Sequence, residues 1–166
     1  AFNQWEVIAV QGTVCLEFEK QAPELNTLLV SVGGGGLIAG IAAWYQNRCK
    51  VVSVEPEKAP TLHDSLAAGQ RTTVEVGGIA ADALGSREVG EMMFPIAQTY
   101  VSQAVLVDEA SIKKAQRLLW DELRIVAEPA GVVPLAALIS GRYQPVPEEK
   151  IGLLICGGNT DLSLLK

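Results

Sequence analysis

Apolar positions in this chain cluster in short uninterrupted runs, and stretches with helical periodicity lie between them. The runs at 27–32 (TLLVSV), 50–55 (KVVSVE), 100–107 (YVSQAVLV) and 150–155 (KIGLLI) are rich in β-branched residues and too short for buried helices. They predict strands, those at 27–32, 50–55 and 150–155 buried. Helices are predicted at 13–21, with Thr13 as N-cap and Pro23 as terminator, at 37–47, at 61–69 closed by Gly69, and at 87–97. Asp108 caps a long amphipathic helix that runs to about Arg124, with Ile112, Ala115, Leu118, Leu119 and Leu123 on its apolar stripe. Pro129 opens a further helix towards Gly141, and 71–83, with Gly77, Gly78 and Asp82, reads as a loop. Alternating strands and helices predict an α/β fold: a three-layer, mostly parallel, twisted sheet with helices on both faces, formed as one domain over 1–166.

Composition narrows the function classes. Hydrophobic residues make up 49% and charged ones 19%, so a sizeable core is expected. Lys and Arg number 13 against 19 Asp and Glu, a formal charge of −6, which disfavours nucleic acid as a partner. Cys15, Cys49 and Cys156 are widely spaced and lack a C-x-x-C pair, so neither a disulfide framework nor a zinc site is indicated, and a cytoplasmic location is expected. The opening AFNQWEV lacks the basic and apolar regions of a signal peptide. Residues 28–44 are uncharged and carry Gly36 and Gly40 at G-x-x-x-G spacing, but the four glycines interrupt any helix. The stretch reads as strand, turn and helix, with no membrane partner.

That turn, Gly33, Gly34, Gly35 and Gly36, followed by a helix beginning at Leu37, is where chemistry is first expected. Successive N–H groups at a helix N-terminus form a concavity for a phosphate or another anion. The alternative is close packing of strand on helix. Gly34, Gly36 and Ala39 also satisfy G-x-G-x-x-A, and Glu55 ends the next strand at the distance a dinucleotide fold requires.

The segments VSVGGGGLIAG, VSVEPEKAP, AEPAG and LLICGGNTDL, in this order and joined by QGTVCLEF and GGIAADALG, resemble the serine/threonine dehydratases (threonine ammonia-lyases). These are pyridoxal-phosphate (PLP) enzymes of the tryptophan-synthase-like, fold type II group. The resemblance runs from Gln11 to Leu162 and corresponds to the C-terminal half of such enzymes. It implies that Gly33, Gly34, Gly35, Gly36 and Leu37 hold the 5′-phosphate of PLP through backbone N–H groups. It further places Cys156, followed by Gly157, at the pyridine nitrogen, Glu128 near the ring and Asp82 in a loop beside the active site. The Glu55 carboxylate and the Ala59 carbonyl fall where relatives of serine racemase type hold Mg²⁺ or another cation, with Thr61 in place of the third expected carboxylate. Read without the resemblance, Cys156 is an inert residue at a strand end, Glu128 an acid favoured by a helix N-terminus, and Asp82 a turn residue.

Two family segments are absent: the S-x-K that carries the Schiff-base lysine, and the S-x-G-N-H-A type loop for the substrate carboxylate. Lys20, Lys50, Lys58, Lys113, Lys114, Lys150 and Lys166 all stand in other contexts, and His63 reads as a surface helix residue. No catalytic residue is therefore assigned within this chain. The implied activity is β-elimination on L-threonine or L-serine to give a 2-oxo acid and ammonia, in a homo-oligomeric enzyme that includes the lysine. An NAD-dependent dehydrogenase fragment with Glu55 on the ribose, and a non-catalytic ligand-binding remnant, are the competing readings.

Overall fold

A computed structural model describes residues 3–161. Leu162 and Lys166, both named above, lie outside the described residues. Strands β1 (Thr27–Ser31), β2 (Lys50–Pro56), β3 (Val101–Val107) and β4 (Ile151–Leu153) form one sheet in the order β3-β2-β1-β4. All pairings are parallel, with Thr27 opposite both Lys50 and Ile151. The expected α/β architecture is present.

The sheet separates two apolar layers because successive strand residues face opposite ways. Leu28 and Val30 point into a layer with Ile38 and Ile41 of α2 (Gly36–Tyr45) and Met93 of α5 (Met93–Tyr100). Leu29, Val52 and Val54 point into the other, with Ile112 of α6 (Glu109–Leu118) and Val133 and Ala136 of α7 (Val133–Ile139). The chain steps from β1 to β2 to β3 along one side, then returns to β4 on the opposite side of β1. Strand order therefore reverses between β1 and β4, and at such a reversal the connections leaving the C-terminal strand ends diverge and open a crevice.

Several boundaries differ from expectation. Helix α1 spans Trp5–Gln21, so Thr13 lies inside it, where its hydroxyl donates to the Val10 carbonyl at 2.7 Å. The additional turns are stabilised by tertiary packing. A Cβ at Gly40 of α2 would stand 2.5 Å from the Ile8 carbonyl oxygen and 2.7 Å from the Gly12 nitrogen, so α1 and α2 meet backbone to backbone there. The G-x-x-x-G spacing thus serves helix contact inside a globular layer, and no helix among the described residues is long and apolar enough to cross a membrane.

The predicted helix at 87–97 forms only from Met93, because the segment before it is tied elsewhere: Val74 N–H donates to Arg87 O and Gly90 N–H to Gly34 O. The expected loop at 71–83 runs into a single helical turn, α4 (Ala81–Leu84), and α3 occupies Thr61–Ala68 with Gly69 at φ 68° closing it. Asp108 caps α6 by accepting from Ser111 N–H at 2.7 Å, and a π-helical turn, Leu119–Leu123, extends it. Pro129 begins a 3-10 turn, Pro129–Val132, that leads into α7.

Candidate cofactor site

The C-terminal ends of β1 and β4 flank the crevice, and the segments that follow them carry the glycine turn and Cys156. A cavity of about 340 Å³ there is lined by all four glycines, Leu37, Glu128, Ala130 and Cys156, with walls from Gln11 and Leu84. Residues expected to act together from separate parts of the chain do share one space.

The turn is shaped for backbone approach. Gly35 is the N-cap of α2 at φ 91°, a left-handed conformation that L side chains rarely adopt, and a Cβ there would lie 3.0 Å from Val89 Cγ2 and 3.1 Å from Met93 Cβ. A Cβ at Gly33 would lie 3.1 Å from Leu84 Cα and 3.3 Å from the Ala83 carbonyl oxygen. Among the described residues, the N–H groups of Gly33, Gly34 and Gly35 have no hydrogen-bond acceptor, and the first turn of α2 adds donors that a helix cannot satisfy internally. A concavity of unpartnered donors at the positive end of a helix dipole fits a phosphate. The cradle thus accommodates the phosphate of PLP, and the cavity is large enough for a small cofactor.

The opposite wall consists of two interlocked segments. Glu128 N–H donates to the Gly157 carbonyl at 3.0 Å, and Asn159 N–H donates to Glu128 Oε2 at 3.2 Å. Gly131 is required beside Cys156, since a Cβ there would overlap the Cys156 carbonyl oxygen. Ser31, at the end of β1, fixes this wall to the sheet by donating to the Ala130 carbonyl at 2.7 Å. Sequence reasoning missed Ser31 and Gly131, although Gly131 lies inside the quoted AEPAG. Cys156 is exposed at the mouth, yet crowding of its sulfur by the wall, and secondarily the Glu128 carboxylate, push its thiol up. It remains a neutral thiol, a weak donor, at neutral pH.

Glu128 also borders a second cavity of about 250 Å³, lined by Ile79, Ala80, Asp82, Ala83, Asn159 and Asp161 among others. Asp82 is therefore beside the site. Among the described residues, no lysine lines either space. His63 lies outside both, with Nδ1 2.8 Å from the carboxylate of its neighbour Asp64.

Glu55 is directed away from the cavity. It is fully buried at the end of β2, and its two oxygens accept from Leu62 N–H and His63 N–H, each at 2.7 Å, capping α3 from a distance. Burial pushes its carboxyl up to about 8, against the pull of those amides. A ribose cannot reach it, which removes the structural support for the NAD reading. Ala59 is also fully buried, and the Thr61 hydroxyl donates to the Ser86 carbonyl at 2.5 Å. Among the described residues no three His, Cys, Asp or Glu side chains gather as a ligand set. This donor arrangement does not fit a hard divalent cation, which needs several free oxygens.

The chain is 34% identical to the L-threonine ammonia-lyase of Thermotoga maritima over 167 residues, covering 99% of this chain and 41% of that protein. It is 37% identical to the serine racemase of Dictyostelium discoideum, covering 98% of this chain and 52% of that one. The structure of the processed form of threonine deaminase isoform 2 from Solanum lycopersicum superposes with a TM-score of 0.88 at 30% identity, over 98% of this chain and 49% of that one. The chain thus spans about half the length of these curated relatives. The model of the pyridoxal-phosphate dependent enzymes matches residues 1–157, which include both the glycine cradle and Cys156, and the chain belongs to that family.

Proposed function

We propose that this chain forms the cofactor-holding part of a PLP-dependent ammonia-lyase that eliminates the β-hydroxyl of L-threonine or L-serine, yielding a 2-oxo acid and ammonia. The observation that carries the reading is the convergence of the residue 33–37 cradle and the Glu128–Cys156 wall on one cavity at the sheet's reversal point. PLP, when bound, supplies an electron sink for breaking the Cα–H bond of an amino acid.

The chain's own residues bind and orient. The amides of the glycine turn and Leu37 hold the phosphate. Cys156 would offer the ring nitrogen of bound PLP a neutral hydrogen-bond partner, which would leave the ring less electron-withdrawing than a carboxylate partner would. Glu128, fixed by Gly157 and Asn159, lines both cavities and would stand beside a ring bound there. Among the described residues no lysine lines these cavities, so the amine that would anchor the cofactor and serve as base would come from elsewhere in the enzyme. A cation at Glu55 and Ala59 would have to displace the Leu62 and His63 amides. The same reading has the enzyme homo-oligomeric and cytoplasmic, in keeping with its unpaired cysteines.

The test is an assay of the full-length protein with PLP and each L-amino acid, scoring 2-oxo acid, ammonia and the D-enantiomer. Stoichiometric 2-oxo acid and ammonia support the proposal. Exclusive formation of the D-amino acid would assign a racemase instead, the activity named for the Dictyostelium relative.

A further inference from the structure

On the outer side of the Asp82 loop, segments from the ends of β2 and β3 meet through two side chains. Lys58, in the turn after β2, places Nζ 2.8 Å from Oε2 of Glu109 in the first turn of α6. The other Glu109 oxygen, Oε1, accepts the Ile79 N–H at 2.8 Å, and the Lys58 carbonyl accepts the Gly77 N–H at 2.9 Å. Gly78 lies between them at φ 84°, where a Cβ would overlap Glu109 Oε1 and stand 3.3 Å from Lys58 Cδ. Two backbone amides, a glycine conformation and an ion pair therefore fix residues 77–79 in one place.

What these contacts hold borders the site. Ile79 and Ala80 line the second cavity opposite Glu128 and Asn159, and the chain continues directly into α4, whose Ala83 and Leu84 abut Gly33. The neighbouring cradle is held by other bonds, Gly90 N–H to Gly34 O among them. Releasing residues 77–79 would thus alter the second cavity before the cradle.

We propose that Glu109 is a positioning residue: with Lys58 it fixes the wall of the compartment that receives the amino-acid substrate, and so sets substrate affinity without touching the cofactor. This rests on the reading that the cradle cavity holds PLP. The Glu109 carboxylate is held below its usual range by the Lys58 ammonium and the Ile79 amide, so both contacts persist across the neutral pH range. Its hydrogen bond to Ile79 governs the loop, and the exposed ion pair with Lys58, weakened by salt, is secondary.

The experiment compares Glu109→Ala, which removes both contacts, with Glu109→Gln, which keeps an oxygen for the Ile79 N–H, in the full-length holoenzyme. The expected result is a KM raised roughly tenfold in Glu109→Ala and less than about threefold in Glu109→Gln, with kcat and the PLP dissociation constant within about twofold in both. Hydrogen exchange at residues 77–79 rises in Glu109→Ala, a readout that needs no turnover. Gly78→Ala, which keeps Glu109 but displaces it, raises KM in the same direction and serves if Glu109→Ala does not fold. An unchanged KM in Glu109→Ala, equal KM values in the Ala and Gln variants, or unchanged exchange would each overturn the proposal. Wild-type protein that binds no PLP overturns the cofactor reading instead, and is told apart because Glu109→Ala then still raises exchange at residues 77–79.

Discussion

The Glu128 side chain fills the space that a side chain on Gly157 would need. The Glu128 N–H donates to the Gly157 carbonyl at 3.0 Å, Gly157 sits at φ 74°, and a Cβ on Gly157 would overlap the Glu128 carboxylate. The glycine after Cys156 is therefore a condition for where Glu128 stands.

Gly157→Ala should consequently act on the wall and on the backbone together. The left-handed conformation alone costs about 1–2 kcal/mol for a residue with a Cβ, and displacement of Glu128 adds to it. Urea unfolding of the full-length protein should show a destabilisation of about 1–3 kcal/mol, together with weaker PLP binding. A variant that matches the wild type in both respects would contradict the interlock.

The buried Glu55 predicts a specific pH dependence. Its folded-state carboxyl is raised to about 8 by burial, against an unfolded value of about 4.3. A raised group contributes stability that is fully present below the unfolded value and is lost as pH rises through the folded one. Wild-type stability should fall between about pH 5 and about pH 8 with a slope that Glu55→Gln reduces. Parallel pH profiles for the two proteins would show that Glu55 does not titrate in this window.

Cys156→Ser exchanges one neutral donor for another at the position proposed to face the ring nitrogen. The variant should keep kcat within a few-fold of wild type and bind PLP normally. Loss of turnover with PLP still bound would show that the thiol does more than hydrogen-bond.

Helix α1 depends on its crossing with α2, where Gly40 faces the Ile8 carbonyl and the Gly12 nitrogen. Gly40→Ala forces the two backbones apart and should destabilise the protein by about 1–3 kcal/mol. Thermal unfolding checks this, and an unchanged midpoint would mean that the helices can separate freely.

The sheet was legible because its strands leave short, β-branched apolar runs, and the candidate cradle because it leaves four glycines in a row between strand and helix. Thr27–Ser31, Lys50–Pro56 and Val101–Val107 all stand where their β-branched runs indicated. What escaped was determined by contacts distant in sequence. Residues 5–12 carry no clear helical period and become helical through Gly12 and Gly40. Residues 87–90 have helical composition but bond to Val74 and to Gly34 instead, with Gly90 as the visible warning. Glu55 matched two functional templates, and its capping of α3 could be seen only once β2 and α3 were placed together.

The proposed role of the glycine-turn amides is to hold the phosphate of PLP. Its most direct test is equilibrium dialysis of the full-length protein with PLP and with pyridoxal, which lacks the phosphate, using wild type and Gly35→Val. Wild type should bind PLP at least about a hundredfold more tightly than pyridoxal, and Gly35→Val, strained at φ 91° and pressed against Val89 and Met93, should lose most of that difference. Equal affinities for the two compounds in wild type, or a preference for PLP that survives Gly35→Val intact, would contradict it.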